Sequence, residues 1–294
     1  MDVLLTTALE AAEAAADVHL RYFGSVGLEG AVEKGHSDFV SRVDLEAQEA
    51  ALEVILRRHP GHHVLAEEEV DGDDAGDGSQ TGQETGRQNG RWPEDGDYLW
   101  IVDPLDGTTN YLHNHPQFGS SVGVARRTPD LSSPPEIGKG LVLEAGAVVA
   151  ARTGERWWAR RGQGAFKNGI PISVSRQPSI RAALVGTGFP FKAPELIPRY
   201  LAQFQRVLPA SGGIRRAGSA ALDLCYLAEG ILDGFWEEDY LSPWDVAAGL
   251  VILSEAGGVA TRLDGSGITL EKGSILAANS SDLLGELGRL VSGP

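Results

Sequence analysis

One segment constrains this chain more than any other. Leu99-Trp100-Ile101-Val102, four apolar residues that read as a buried strand, run directly into Asp103-Pro104-Leu105-Asp106-Gly107-Thr108-Thr109-Asn110. Two carboxylates three residues apart at the mouth of a strand suit a hard divalent cation, which takes oxygen ligands. Pro104 restricts the backbone between them and has no N–H, which leaves the Leu105 carbonyl as a candidate oxygen ligand. The Gly107-Thr108-Thr109 turn can offer backbone N–H groups and hydroxyls to a phosphate, and Gly107 lets the backbone approach closely. Upstream lies Glu67-Glu68-Glu69, and far downstream Trp244-Asp245-Val246-Ala247-Ala248-Gly249. Glu67, Asp103, Asp106 and Asp245 together suggest metal-assisted phosphate chemistry, with Asp103 able to bridge two ions.

Each signal alone has a plainer explanation. Asp-Pro-x-Asp-Gly is commonly a turn, and a glutamate triplet is usually a solvated face. Asp245 is well placed to cap the helix that begins at Val246. The combination is stronger, because each acid sits at a strand end or helix start where a pocket can form.

The 294 residues suffice for one large domain or two closely joined halves, and 42% hydrophobic content supplies a sizeable core. A formal net charge of −16 argues against direct nucleic-acid binding or an anionic membrane surface, since both need a basic field. A phosphorylated substrate stays open, because bound Mg²⁺ inverts the local field. The single cysteine, Cys225, reads as a buried structural thiol. The N-terminus lacks a basic leader, and no run approaches the ~20 apolar residues of a membrane span, so a cytoplasmic enzyme is the default.

Periodicity predicts helices over residues 2–23, 44–58, 195–207, 217–229, 246–256 and 281–291, the second capped by Asp44. Strands are expected at 63–66, 99–102, 120–125, 140–144, 147–152, 157–160, 172–174, 183–186, 231–237, 259–263 and 274–278. Leu143-Glu144-Ala145-Gly146 reads as part of a hairpin that lacks a polar turn. Short separations favour antiparallel neighbours, so the expected class is α+β with layered helices and largely antiparallel or mixed sheets. Residues 70–97 hold seven glycines and eight acids and almost no aliphatic side chains; they read as a flexible surface excursion, either a lid, an oligomer contact or disordered.

Asp103–Asn110, together with Trp244–Gly249 continuing into Ser254-Glu255-Ala256-Gly257-Gly258, resembles the inositol monophosphatase family. Supporting stretches are Ala66-Glu67-Glu68, Arg161–Gly169 and Arg215–Ala221, and the likeness spans roughly residues 4–292 apart from the excursion. The resemblance implies a layered αβαβα sandwich and a lithium-sensitive phosphomonoesterase using two or three Mg²⁺ ions. An N-terminal half, 1–180, carries Glu67 and the Asp103–Asn110 motif, and a C-terminal half, 181–294, carries Asp245. By position, Glu67, Asp103, the Leu105 carbonyl, Asp106 and Asp245 match the family's metal ligands, and Thr108 with Asp44 matches the pair that activates the attacking water. Gly107 and Thr108 match the phosphate-binding turn, Glu68 a nearby supporting acid, Glu237 the residue that contacts substrate hydroxyls, and Ser219 and Ala220 the lining of that region.

One departure is an extra residue between Glu237 and Asp245, which leaves open whether Glu237 or Glu238 faces substrate. His113 and His115 read as structural or surface residues. The expected reaction is in-line attack of water on phosphorus, without a phosphoenzyme, and the first-choice substrate is inositol-1-phosphate, a small phosphorylated polyol. Similar enzymes act on histidinol phosphate, fructose-1,6-bisphosphate or 3′-phosphoadenosine 5′-phosphate; a bisphosphate needs an extra basic pocket, for which Arg215 and Arg216 are candidates. A different class of role is that of a regulatory binding partner of transcription machinery. The terminal helix and apolar strands make a homodimer plausible.

Overall fold

The computed structural model describes residues 2–35, 38–68, 96–129, 136–137 and 140–293. Glu69 and the 70–97 excursion through residue 95 lie outside them, so the expectation for that segment is not addressed.

Helix α1 (Val3–Tyr22) starts where the Asp2 carboxylate accepts the Leu4 N–H at 3.0 Å. Its buried face is mostly alanine (Ala8, Ala11, Ala12, Ala15), so it lies close to the sheet beneath. A hairpin of β1 (Ala31–Gly35) and β2 (Asp38–Ser41) follows, then α2 (Arg42–Arg58), β3 (His63–Ala66) and β4 (Tyr98–Asp106). The short α3 (Thr108–Leu112) leads to β5 (Gly119–Arg127), β6 (Glu136–Ile137), β7 (Gly140–Ala150), β8 (Glu155–Arg160), β9 (Ala165–Lys167) and β10 (Ile170–Ile172). The remainder comprises β11 (Leu184–Thr187), α4 (Ile197–Ala210), β12 (Gly213–Arg215), α5 (Ala220–Ala228), β13 (Gly234–Leu241), α6 (Pro243–Glu255), β14 (Val259–Thr261), β15 (Gly273–Ala278) and α7 (Ser281–Ser292).

Among the described residues, the larger sheet runs β10-β9-β8-β7-β5-β4-β3, with β6 beside β7; it is antiparallel except for the β3–β4 and β6–β7 pairs. The smaller runs β12-β11-β13-β15-β14, with β11 parallel to both neighbours. Helices α1 and α2 cover one face of the larger sheet. The α5–α6 pair lies between the two sheets, and α4 with α7 covers the far face of the smaller one. The result is the αβαβα layering expected, an α+β fold with mixed and antiparallel sheets. Cys225 is fully buried in the middle layer, and burial pushes its thiol pKa up. Among the described residues no helix is long and apolar enough to cross a membrane.

The sheet geometry corrects several element boundaries. Residues 140–150 form one strand, not two strands of a hairpin. Gly146 is there for packing, not for a turn. It pairs with Gly123 of β5, and a Cβ on Gly146 would stand 2.7 Å from the Ala248 carbonyl oxygen of α6. A Cβ on Gly123 would stand 3.0 Å from Ala247 Cβ. The glycine pair is a notch that seats the start of α6, three residues beyond Asp245. We expect Gly146→Ala to destabilise the fold by about 1–3 kcal/mol in urea unfolding, because the obstacle is backbone and cannot swing away.

The strand expected at 172–174 is replaced by the β9–β10 hairpin, and β13 starts at Gly234, not Ile231. The β1–β2 hairpin was not foreseen. In the terminal helix α7, Leu283, Leu287 and Val291 are buried within the chain's own core.

Candidate active site

The site is built on an interruption of β4. Asp103 pairs with Ser121 of β5, and pairing resumes at Asp106 with Gly119, so Pro104 and Leu105 bulge out of the ladder. The Leu105 N–H donates to Asp103 Oδ1 at 3.0 Å, and Pro104 has no N–H to place. Gly107 follows at φ +91°, a left-handed conformation in which a Cβ would press on the Gln117 carbonyl oxygen at 2.9 Å.

Two helices aim acids at this bulge through the same device. In α2, Ser41 is the N-cap and Asp44 the third helical residue; Asp44 Oδ2 accepts the Ser41 N–H at 2.8 Å and its hydroxyl at 2.7 Å. Asp44 is thus the reciprocal member of a capping box, not the cap expected from sequence. Its other oxygen, Oδ1, lies 3.1 Å from the Thr108 hydroxyl, which is also 3.0 Å from the Leu105 carbonyl oxygen. In α6, Ser242 and Asp245 repeat the arrangement, with Asp245 Oδ2 accepting the Ser242 N–H at 2.6 Å. Capping and site geometry are therefore compatible uses of one aspartate.

Asp103, Asp106 and Asp245 each place a carboxylate oxygen within 4.8 Å of the others. Glu67 joins them: its N–H donates to the Val102 carbonyl at 3.2 Å, and its carboxyl is a hydrogen-bond partner of Asp103. Gln48 grips both main-chain groups of Glu68, at 2.7 and 2.9 Å, and so fixes the segment that carries Glu67. Asp106 Oδ2 accepts from the Ser219 hydroxyl at 2.6 Å and from the Ala221 N–H at 2.8 Å. Ser219 thus orients Asp106, and Ala220 is buried beside it in the first turn of α5.

Burial dominates the electrostatics. It pushes the Asp106 carboxyl up to about 6, despite the two donors on it, and Asp44 also up to about 6. Burial, reinforced by the neighbouring acids, holds Asp103 and Asp245 well above the ordinary carboxylate range. Lys192 opposes the shifts at Asp106 and Asp245. A crowd of partly dehydrated carboxylates with only oxygen to offer is stable in its charged form when a hard cation lies between them, so the donor set fits Mg²⁺.

The two candidate glutamates separate cleanly. Glu237 feels Asp106 and Arg216, accepts the Tyr240 hydroxyl at 2.5 Å, and is pushed by burial up to about 7. Glu238 takes the opposite face of β13, against Gln203 at 2.5 Å and Arg199 at 3.2 Å. The arginine pair separates too. Arg216 lies 5.2 Å over both the Phe189 and Phe191 rings and acts on Glu237 and Asp223, whereas Arg215 is exposed. His113 and His115 are exposed.

Sequence reasoning passed over His19. This fully buried residue of α1 sets its Nε2 2.8 Å from the Pro104 carbonyl oxygen, and burial lowers its pKa to about 4. Its only signal was a histidine on an apolar helical stripe. The two Ser-x-x-Asp capping boxes, Ser41–Asp44 and Ser242–Asp245, were readable in the sequence; Lys192 and Tyr240 carried no motif.

A profile of the inositol monophosphatase family matches residues 1–292. The chain is 35% identical over 292 residues to the putative Nus factor SuhB of Neisseria meningitidis serogroup B, covering 99% of each. It is 40% identical over 257 residues to a fructose-1,6-bisphosphatase/inositol-1-monophosphatase of Aquifex aeolicus, covering 87% of this chain and 84% of that one. The solved structure of the extragenic suppressor protein SuhB of Bartonella henselae matches with a TM-score of 0.79 at 31% identity, over 99% of this chain and 98% of that one.

Proposed function

Because the chain belongs to the inositol monophosphatase family, whose members are metal-dependent phosphatases, we propose that it hydrolyses inositol-1-phosphate with Mg²⁺ as its cofactor. The observation that carries the reading is the convergence of Asp103, Asp106, Asp245 and Glu67 on one side of the β4 bulge, with the Thr108–Asp44 contact beside them. Glu67, Asp103, the Leu105 carbonyl, Asp106 and Asp245 would hold two or three Mg²⁺ ions. Bound there, the cation supplies Lewis-acid stabilisation of the phosphoryl oxygens and makes water more acidic.

The chain's own groups do the rest. With its hydroxyl hydrogen directed at Asp44, Thr108 Oγ1 accepts a proton from the attacking water as it passes its own hydrogen to Asp44 Oδ1. The water oxygen bonds to phosphorus as the ester P–O bond breaks, the bonding pair goes to the leaving oxygen, and that oxygen takes a proton from solvent to leave as the alcohol. The backbone N–H groups of Gly107 and Thr108 cradle the phosphate. Glu237 accepts hydrogen bonds from ring hydroxyls, with Ser219 and Ala220 bordering the same wall.

Arg216 is stacked on two phenylalanines within electrostatic reach of Glu237 and Asp223, and Arg215 is exposed. At saturating Mg²⁺, inositol-1-phosphate should exceed histidinol phosphate, fructose-1,6-bisphosphate and 3′-phosphoadenosine 5′-phosphate in kcat/KM. Glu237→Gln should raise KM for inositol-1-phosphate about tenfold, the size of one charged hydrogen bond. A preference for either bisphosphate rejects the substrate assignment. Inhibition by lithium belongs to the same reading.

The Neisseria relative's designation as a putative Nus factor favours a second role, a protein contact with transcription machinery. With a net charge of −16, that contact would be to protein, not RNA. Capture of the machinery by wild type and by Asp245→Asn alike would show that binding is separate from hydrolysis. We also propose a cytoplasmic homodimer that meets through α4, where Ile197, Leu201 and Leu208 expose one apolar stripe.

A further inference from the structure

We propose that His19 is a positioning residue that holds the β4 bulge in its cation-binding shape. The proposal rests on the reading of Asp103, Leu105 and Asp106 as ligands, and it follows from a full accounting of the bulge's backbone groups. Leaving the ladder strands the polar groups of Pro104 and Leu105. The Leu105 N–H goes to Asp103, and its carbonyl lies toward Thr108 on the site side. Pro104 has no N–H, and its carbonyl is met by His19 Nε2. A carbonyl oxygen only accepts, so Nε2 carries the hydrogen, and His19 is the neutral tautomer with a bare Nδ1.

That Nδ1 is buried without a partner. An aliphatic side chain would avoid this desolvation penalty, which points to the Nε2 contact as the reason for a histidine here. The ring is also held rigidly. It packs edge-on against Phe118 at 5.7 Å and near Tyr111 at 6.0 Å, and the Tyr111 hydroxyl donates to the His19 carbonyl at 2.9 Å. The first helix therefore grips the peptide between two ligands from the side opposite the cation. Without that grip the Pro104–Leu105 peptide is held only by its N–H bond to Asp103, and the common orientation of Asp103, Leu105 and Asp106 is less rigidly fixed.

The test is calorimetric titration of Mg²⁺ into metal-free protein with no substrate present. His19→Leu should weaken Kd about tenfold or more, and His19→Gln, whose amide reaches as far as Nε2, should stay within about threefold of wild type. Ala11→Gly, on the same buried face of α1 but away from the bulge, should lower Tm and leave Kd unchanged. Should His19→Leu fail to fold, His19→Asn, polar but too short to reach the carbonyl, replaces it with the same expected weakening. The proposal is overturned if the variant lacking the contact binds as tightly as wild type, or if Ala11→Gly weakens binding equally. Absence of Mg²⁺ binding by wild type would instead reject the underlying ligand assignment.

Discussion

Asp106→Asn and Asp245→Asn should each lower turnover by about a thousandfold or more while the fold stays intact. The substitution changes charge and almost nothing else. An asparagine oxygen at position 106 still accepts from the Ser219 hydroxyl and the Ala221 N–H. One at position 245 still accepts the Ser242 N–H, so the start of α6 keeps its cap. What disappears is one negative charge from the acidic cluster that could hold a cation. Metal-centred stabilisation of phosphoryl transfer is worth several kcal/mol, and about 4 kcal/mol is three orders of magnitude in rate. The same variants should match or exceed wild type in Tm when metal is removed, because a repelling carboxylate has gone. Near-normal Mg²⁺-dependent rates in either variant would remove these residues from the reaction.

Stability of the metal-free protein should fall as pH rises from about 6.5 to 8, and Mg²⁺ should abolish most of that fall. Burial and neighbouring acids raise Asp103 and Asp245 well above the ordinary range, and burial puts Glu237 at about 7. A carboxyl whose folded pKa lies above its unfolded value contributes stability that is complete below the unfolded value. That contribution is lost as pH passes the folded one. Below about pH 6.5 the trend is mixed, since His19, lowered to about 4, gains stability with rising pH there. The expected loss is on the order of a few kcal/mol, or roughly 5–10 °C in Tm. Calorimetric melts at several pH values, with and without Mg²⁺, give the comparison, and Asp106→Asn should show a shallower fall. A metal-free Tm that is flat or rising through this window would show that the acids are not forced together.

The sequence disclosed the site better than the architecture around it. Asp103–Asn110 and Trp244–Gly249 are legible because their residues are adjacent in the chain, and the chemistry of each is written in its residue types. Helices α1, α2 and α7 follow from apolar periodicity. The β7 strand did not, because Gly146 normally signals a turn; its close approach to α6 exists only once the layers are stacked. Strand alternation sends Glu237 and Glu238 to different neighbours, and that needs the register of β13. His19 was hidden most thoroughly, since its partner is a backbone carbonyl 85 positions away. Backbone acceptors leave no mark on a sequence.

The most direct test of the central claim is an anomalous difference map from crystals of the protein grown with Mn²⁺ in place of Mg²⁺. A peak enclosed by Glu67, Asp103, Asp106 and Asp245, beside the Leu105 carbonyl, is the expected result. A map with Mn²⁺ bound elsewhere, and no peak among these acids at saturating concentration, would contradict it.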